Sequence, residues 1–431
     1  MISVAYGTFY VETFGCSLNI SDTEFLIGEL LKKGFTVSRL EEADIIIVNT
    51  CAVKEPTEKK VLNYLRKIDK LGKRMIIAGC LPKINLESVK QAIPSFNAII
   101  TPSSYQLIGV IAERVLKGET GIIVDEELPL PVFRDFQVKS KTGIIPIAYG
   151  CLNQCSYCCV RFARGRLRSY PVEQIIEYAS KLVRRGCVEL WLTAQDTAAY
   201  GLDIKTDLSR LLVEVNSLQG NFMTRVGMMN PKSAYRIINT LLESFKGGKI
   251  YKFIHLPIQS GDNQTLASMN RGYTVEIFKT IIDRFKATHP DITVSTDIIV
   301  GFPGETEVQF KHSLELIEEL KPDIVNISRY GDRPGALSVN LPDKIKGAII
   351  KRRSRLLTEI VRKISLEKNS KWIGWIGEAA VVESAPKTGY IARNFAYKPI
   401  LLADNNLTLG EKHIIRIVDC RPGYLIGEVL K

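Results

Sequence analysis

Over the first third of the chain, short apolar runs alternate with segments whose apolar residues recur every three or four positions. Runs at 10–13, 43–48, 74–78 and 97–100 predict strands, and 23–33 and 56–70 predict amphipathic helices between them. This βαβα order predicts a mostly parallel sheet, which holds ligands just beyond the carboxyl ends of its strands. The alternation then returns with strand patterns at 144–149, 188–192, 222–228, 252–256, 292–300 and 323–330, and helical patterns at 172–185, 208–217, 274–287 and 305–320. These six repeats predict an open, partial (β/α)6 barrel of the TIM-like kind, with its chemistry at the strand carboxyl ends. A charged helical pattern follows at 343–370. Short runs at 379–383, 399–402, 413–418 and 425–429, broken by Gly, Pro and Asn turns, predict a small antiparallel β-barrel. The fold class is therefore α/β, with an N-terminal domain at 1–124, an acidic, proline-bearing linker at 125–140, a barrel core at 141–370 and a terminal module at 371–431.

Composition narrows the class. The 431 residues are 45% hydrophobic and 24% charged, which excludes wholesale disorder and lets each domain bury a core. The formal net charge of +12 favours an anionic partner such as nucleic acid over an acidic small substrate. The opening residues carry no secretory pattern, and no window approaches 18 uninterrupted apolar residues, so a reducing, cytoplasmic setting without a membrane span is expected. The nine cysteines then read as apolar filler or as ligands, and spacing decides between them.

Cys151, Cys155 and Cys158 follow the first barrel strand on one short loop. Three thiolates at this spacing can each hold one iron of a [4Fe–4S] cube and leave the fourth iron open to chelate the amino and carboxylate groups of S-adenosylmethionine. A zinc site with Cys159 as fourth ligand, or chance clustering, is the alternative. Cys16, Cys51 and Cys80 each fall within a few residues of the end of a different strand, so the topology gathers them on one sheet edge. Buried apolar cysteines are the bland reading of each alone; three at three strand ends favour a second cluster.

With these residues the chain resembles the radical S-adenosylmethionine superfamily and, within it, the methylthiotransferases. The resemblance rests on Thr13-Phe14-Gly15-Cys16-Ser17-Leu18-Asn19, Asn49-Thr50-Cys51-Ala52-Val53, Ala78-Gly79-Cys80-Leu81-Pro82, the Cys151 loop running into Ala163-Arg164-Gly165-Arg166-Leu167-Arg168-Ser169, and His255-Leu256-Pro257-Ile258-Gln259-Ser260-Gly261. It implies two [4Fe–4S] clusters. Cys151, Cys155 and Cys158 would hold the one that cleaves S-adenosylmethionine, and Cys16, Cys51 and Cys80 an auxiliary one that handles sulfur. It further implies that Gln195, Asp196, Gln259, Ser260, Asp297, Gly301 and Pro303 line the S-adenosylmethionine site; for Gly301 a plain strand-to-helix turn is an equal reading.

The terminal module resembles the TRAM domain, a small RNA-binding barrel. Lys371, Lys387, Arg393, Lys398, Lys412, Arg416 and Arg421 are candidates for phosphate contacts, and Tyr390, Phe395 or Tyr397 for stacking on bases. Arg161, Arg164, Arg166 and Arg168 behind the cluster loop are further candidates for phosphate or substrate charge, and the basic run 351–355 is a possible docking face or a solvated one. His255 and His413 have no evident second ligand and read as structural. No side chain is assigned as a catalytic acid or base.

The resemblance implies an enzyme that installs a methylthio group on tRNA. A 5′-deoxyadenosyl radical removes hydrogen from C2 of an adenine, and sulfur from the auxiliary cluster is inserted and carries a methyl group. Phe14 to Asp22 and Trp191 to Thr197 look most like the archaeal and eukaryal branch acting on N6-threonylcarbamoyladenosine beside the anticodon. Branches acting on isopentenyladenosine or on a ribosomal-protein aspartate are alternatives, as is a non-catalytic iron–sulfur scaffold that binds RNA. Ala198, Cys159 and the stretch Gly331 to Ala336 depart from the branch pattern. An electron-donor protein and a sulfur source would be further partners, and Cys159, Cys187 and Cys420 have no assigned task.

Overall fold

The computed structural model describes residues 6–133, 140–386 and 388–430. The chain divides into two compact units, one made of Met1–Val138, Tyr149–Arg168 and Gly331–Val339, the other of Lys139–Ala148, Ser169–Tyr330 and Asn340–Lys431. The loop bearing Cys151, Cys155 and Cys158 thus groups with the N-terminal sheet.

In the first unit a six-stranded sheet runs in the order Thr36–Val37, Thr8–Thr13, Ile45–Thr50, Arg74–Gly79, Ala98–Ile100 and Ile122–Val124, with every neighbouring pair parallel. The apolar run in the third of these explains its central place. Ile45 and Ile47 pack with Leu26 and Leu30 of helix Ser17–Lys32 and with Ile108 and Ile111 of helix Ile108–Leu116. Ile46 and Val48 pack on the other face with Val61 and Leu65 of helix Glu55–Asp69 and Val89 of helix Leu86–Ala92. Side chains alternate between faces, so a strand covered on both sides must be apolar throughout.

The second unit contains the expected parallel arc. Strands Thr142–Pro146, Glu189–Thr193 and Met223–Val226 form one ladder, and Phe253–His255, Thr293–Val300 and Ile324–Arg329 another. An isolated parallel bridge between Thr224 and Ile250 continues the first toward the second. Among the described residues no ladder joins Thr142–Pro146 to Ile324–Arg329, so the barrel stays open. Helices Val172–Arg184, Leu208–Ser217, Val275–Thr288 and Glu307–Leu320 fall where the periodicity places them.

Helix Gly347–Ser370 then leads into a closed five-stranded barrel of Ile376–Ser384, Tyr390–Arg393, Pro399–Leu402, Lys412–Arg421 and Tyr424–Val429. Its core holds Val381, Ile400, Ile415, Leu425 and Cys420, so Cys420 is apolar filler. Cys187 is likewise buried, its thiol directed to the Ser140 carbonyl at 3.8 Å.

Candidate functional site

The order of the first sheet brings Cys16, Cys51 and Cys80 to one edge. Thr8–Thr13, Ile45–Thr50 and Arg74–Gly79 are adjacent, with Thr13 opposite Asn49 and Thr50 opposite Gly79, so the three cysteines follow neighbouring carboxyl ends. The approach is close enough to require glycine. A Cβ on Gly15 would meet the Cys51 Cβ at 2.8 Å, and one on Gly79 would meet the Thr50 carbonyl oxygen at 2.2 Å, with both glycines at positive φ. Polar side chains fix the loops. Asn19 donates to the Thr50 carbonyl at 3.0 Å, Asn49 to the Asn19 carbonyl at 2.8 Å, and the Thr50 hydroxyl to the Ala78 carbonyl at 2.6 Å.

Cys16 caps helix Ser17–Lys32, and Cys80 opens the short helix Cys80–Ile84. Burial holds the Cys51 thiol above its ordinary value and pushes Cys80 up to about 12; for Cys80 the Arg164 guanidinium is the largest opposing influence. Thiols raised in this way carry their protons near neutral pH, and a metal that binds them must displace those protons. Arg164 lies against Cys80 with 4% exposure, Nε–H donating to Cys80 Sγ at 3.2 Å and Nη2–H to Asp22 Oδ2 at 2.6 Å. Asp22 also accepts from the Tyr149 hydroxyl at 2.8 Å. Nη1 of Arg164 is buried without a partner. A buried donor left open on a side chain that already bonds Cys80 fits a site that takes a further anionic group, as a cube with one free iron would.

The second triad lies on one loop. Cys158 N–H donates to the Cys155 carbonyl at 3.1 Å and Cys151 N–H to the Gly165 carbonyl at 3.2 Å, which curls the segment. Asn153 Nδ2 lies 3.6 Å from Cys151 Sγ, and Val160 N–H donates to Cys158 Sγ at 3.4 Å. Burial pushes Cys158 up to about 12. Cys159 points away from this loop: its thiol donates to the Ala52 carbonyl at 3.5 Å and bonds the buried Arg333, which pairs with Glu58. Among the described residues no three His, Cys, Asp or Glu side chains converge on one ion-sized position.

In the second unit Gln195, Asp196 and Gln259 follow strand carboxyl ends, His255 ends its strand, and Asp297 lies within Thr293–Val300. Asp297 accepts from Asn326 Nδ2 at 2.7 Å and lies 3.1 Å from His255 Nε2, so His255 belongs to the polar edge rather than to the core. Gln259 holds a positive φ of 77°, its N–H on the Asp297 carbonyl at 2.8 Å. A non-glycine residue in that region is strained, and such strain gathers at ligand sites. Gln195 Oε1 is buried without a partner after the second strand, as a site awaiting a donor would leave it.

Other members of the set are already engaged. Asp196 Oδ1 accepts from Asn230 N–H at 2.9 Å and Oδ2 from the Ser233 hydroxyl at 2.7 Å, and Ser260 is fully buried. Gly301 N–H donates to Glu305 Oε2 at 2.8 Å, and Glu305 pairs with Arg353 at 2.9 Å, the arrangement of a strand-to-helix turn. Pro303 is buried beside it.

The basic residues divide. Arg164 and Lys398 are corrected as RNA contacts, because both are buried in ion pairs, with Asp22 and Asp323 respectively. Tyr397 is corrected as a stacking residue; it is buried against Tyr251 and Phe253. Arg393 lies over the Tyr397 ring at 4.4 Å, and Lys412 pairs with Glu378 at 2.7 Å. Arg168 donates to the Leu128 carbonyl at 2.8 Å, whereas Arg166 is exposed. Arg416 is exposed, 3.7 Å from Glu428; Arg421 pairs with Asp419 at 2.6 Å; Lys371 and Phe395 are exposed. Lys387 lies outside the described residues.

Comparison with known proteins agrees with both halves of this picture. Residues 8–101 match the uncharacterized protein family UPF0004, and residues 145–317 match the radical SAM superfamily. A protein of Methanothermobacter thermautotrophicus described as "Probable threonylcarbamoyladenosine tRNA methylthiotransferase" is 40% identical over 97% of this chain and 99% of its own. The Drosophila melanogaster protein described as a threonylcarbamoyladenosine tRNA methylthiotransferase is 33% identical over 98% of this chain and 77% of its own. Among solved structures, the radical S-adenosylmethionine methyltransferase TsrM of Kitasatospora setae superposes with a TM-score of 0.60 at 12% identity, covering 77% of this chain and 73% of that one, a likeness of fold.

Proposed function

The chain belongs to the threonylcarbamoyladenosine tRNA methylthiotransferase family, and from that premise we propose that it converts N6-threonylcarbamoyladenosine beside the tRNA anticodon to its 2-methylthio derivative. The observation that carries this reading is the second cysteine triad. A radical S-adenosylmethionine enzyme that only abstracts hydrogen has no need of Cys16, Cys51 and Cys80 gathered at the edge of a separate sheet.

On this reading Cys151, Cys155 and Cys158 hold one [4Fe–4S] cluster and Cys16, Cys51 and Cys80 the other. When bound, these groups with S-adenosylmethionine supply the radical that opens the C–H bond and the sulfur that replaces the hydrogen. The chain's own residues orient and exclude. The Cys158 to Cys155 backbone bond keeps the three loop thiols together, and Gln195, Gln259 and the Asp297–His255 pair offer polar groups for the amino, carboxylate and ribose parts of S-adenosylmethionine. The Asn19, Asn49 and Thr50 bonds keep the sheet-edge loops from spreading. An electron-donor protein and a source of sulfur complete the reaction. A reducing cytoplasmic setting suits nine cysteines of which none is in a disulfide, and among the described residues no helix is long and apolar enough to cross a membrane.

Mass spectrometry of nucleosides from tRNA incubated with the reconstituted protein is expected to show 2-methylthio-N6-threonylcarbamoyladenosine. Methylthiolated isopentenyladenosine in its place, or a modified ribosomal-protein aspartate with unmodified tRNA, would overturn the branch assignment. For the terminal barrel, Arg416→Ala is expected to weaken tRNA binding and to reduce the slope of log affinity against log salt by about 1, as loss of one phosphate contact requires. Salt titrations of binding by the two proteins check this; superimposable slopes would place the contact elsewhere.

A further inference from the structure

Arg164 has five N–H donors in a rigid plane, and only part of that plane is used. Nε–H reaches Cys80 Sγ at 3.2 Å, and Nη2 reaches Asp22 Oδ2 at 2.6 Å and Asn19 Oδ1 at 3.4 Å. Asn19 in turn accepts from Cys16 Sγ at 3.4 Å, so the guanidinium is tied to two of the three thiols, one directly and one through an amide. The third, Cys51, also lies within its electrostatic reach. Nη1 is buried and has no hydrogen-bond partner, although the side chain is only 1% exposed. Charged donors are rarely left open in a protein interior, because the group forfeits its hydration with no return. The Asp22 pair explains the presence of a charge here. It does not explain why the planar fork is turned so that one nitrogen remains without a partner.

We propose that Arg164 is the positioning residue for the sulfur anion carried at the Cys16, Cys51 and Cys80 site, with Nη1–H donating to that anion while Nε–H and Nη2–H hold Cys80 and Asp22. The inference rests on the reading of those three cysteines as ligands of one cluster. Its ligand class is a small, soft monoanion such as hydrosulfide. A guanidinium suits the task because it can serve a thiolate, a carboxylate and an exogenous anion at once from fixed directions, whereas an ammonium is a single point.

The test uses the full chain with Cys151, Cys155 and Cys158 replaced by alanine, so that iron loads only at the sheet edge, and inorganic hydrosulfide as the probe. Two variants are made on that background. Arg164→Lys keeps a charge for Asp22 but has too few directions to serve all partners, and Arg164→Gln with Asp22→Asn leaves no unpaired buried charge. Both are expected to bind four irons per chain, as the unvaried background does. Their dissociation constant for hydrosulfide, followed through the visible and electron paramagnetic resonance spectra of the cluster, is expected to rise by about tenfold or more, the worth of one charge-assisted hydrogen bond. Unchanged hydrosulfide affinity overturns the proposal. Folded variants that take up less iron also overturn it, by assigning Arg164 to cluster assembly. Absence of iron from the background protein, before Arg164 is touched, overturns instead the reading of Cys16, Cys51 and Cys80 as ligands, and the inference with it.

Discussion

Anaerobically reconstituted Cys155→Ala protein is expected to form no 5′-deoxyadenosine from S-adenosylmethionine, whereas Cys51→Ala protein still forms it and leaves tRNA without inserted sulfur. The two changes are chemically alike, each removing one sulfur, so a difference in outcome must come from position. Cys155 stands on the loop with Cys151 and Cys158, and its backbone carbonyl still accepts the Cys158 N–H after substitution, so the loop keeps its shape and loses one ligand. Cys51 ends the central strand of the other sheet and is 4% exposed; alanine there leaves a small void costing about 1 kcal/mol, too little to unfold a domain of this size. Chromatography of the nucleoside product and mass spectrometry of tRNA digests separate the two readouts. Equal loss of both activities in both variants would sink the division of labour between the triads.

What the sequence disclosed followed the length of the signal. The apolar run Ile45 to Val48 in strand Ile45–Thr50 and the helix Leu208–Ser217 each fill at least one full structural period, and both appear where the pattern puts them. Strands Thr36–Val37, Ile122–Val124 and Tyr390–Arg393 do not stand out in the pattern, since two to four residues scarcely complete an alternation. The grouping of Cys16, Cys51 and Cys80 at one sheet edge was legible because strand ends can be counted, and that of Cys151, Cys155 and Cys158 because they share one short loop. The engagements of the charged residues were not. Arg164 meets Asp22 across 142 positions and Arg333 meets Glu58 across 275, and no local pattern announces such pairs. A basic residue is by default read as surface, which made Arg164 and Lys398 look like RNA contacts. From sequence His255 reads as structural, because its partner Asp297 lies on the neighbouring strand.

The Lys398 correction changes how the terminal barrel must be probed. Lys398 is 4% exposed, and its Nζ donates to Asp323 Oδ1 at 2.7 Å and to Asn369 Oδ1 at 3.2 Å. Asp323 is itself buried, accepting from Val294 N–H at 3.0 Å through Oδ2, while its carbonyl accepts from the Ser365 hydroxyl at 2.7 Å. Through its carboxylate and its carbonyl together, Asp323 therefore joins the strand Thr293–Val300, helix Gly347–Ser370 and the terminal barrel. Lys398→Met keeps the aliphatic stem and strands the negative charge, and is expected to cost about 3–5 kcal/mol in urea unfolding. Adding Asp323→Asn removes that charge while keeping an acceptor for Val294, and is expected to recover more than half of the loss. A cost below about 1 kcal/mol for Lys398→Met would mean that water reaches the pair and that it acts as a surface bridge. Deleting 372–431 would break the same pair and uncover Phe253 and Tyr251, which pack on Tyr397, so a truncated chain would lose RNA through unfolding. In the folded state Lys398→Met is expected to leave the salt slope of tRNA binding unchanged, in contrast to Arg416→Ala, because a lysine held by Asp323 releases no counterion from phosphate.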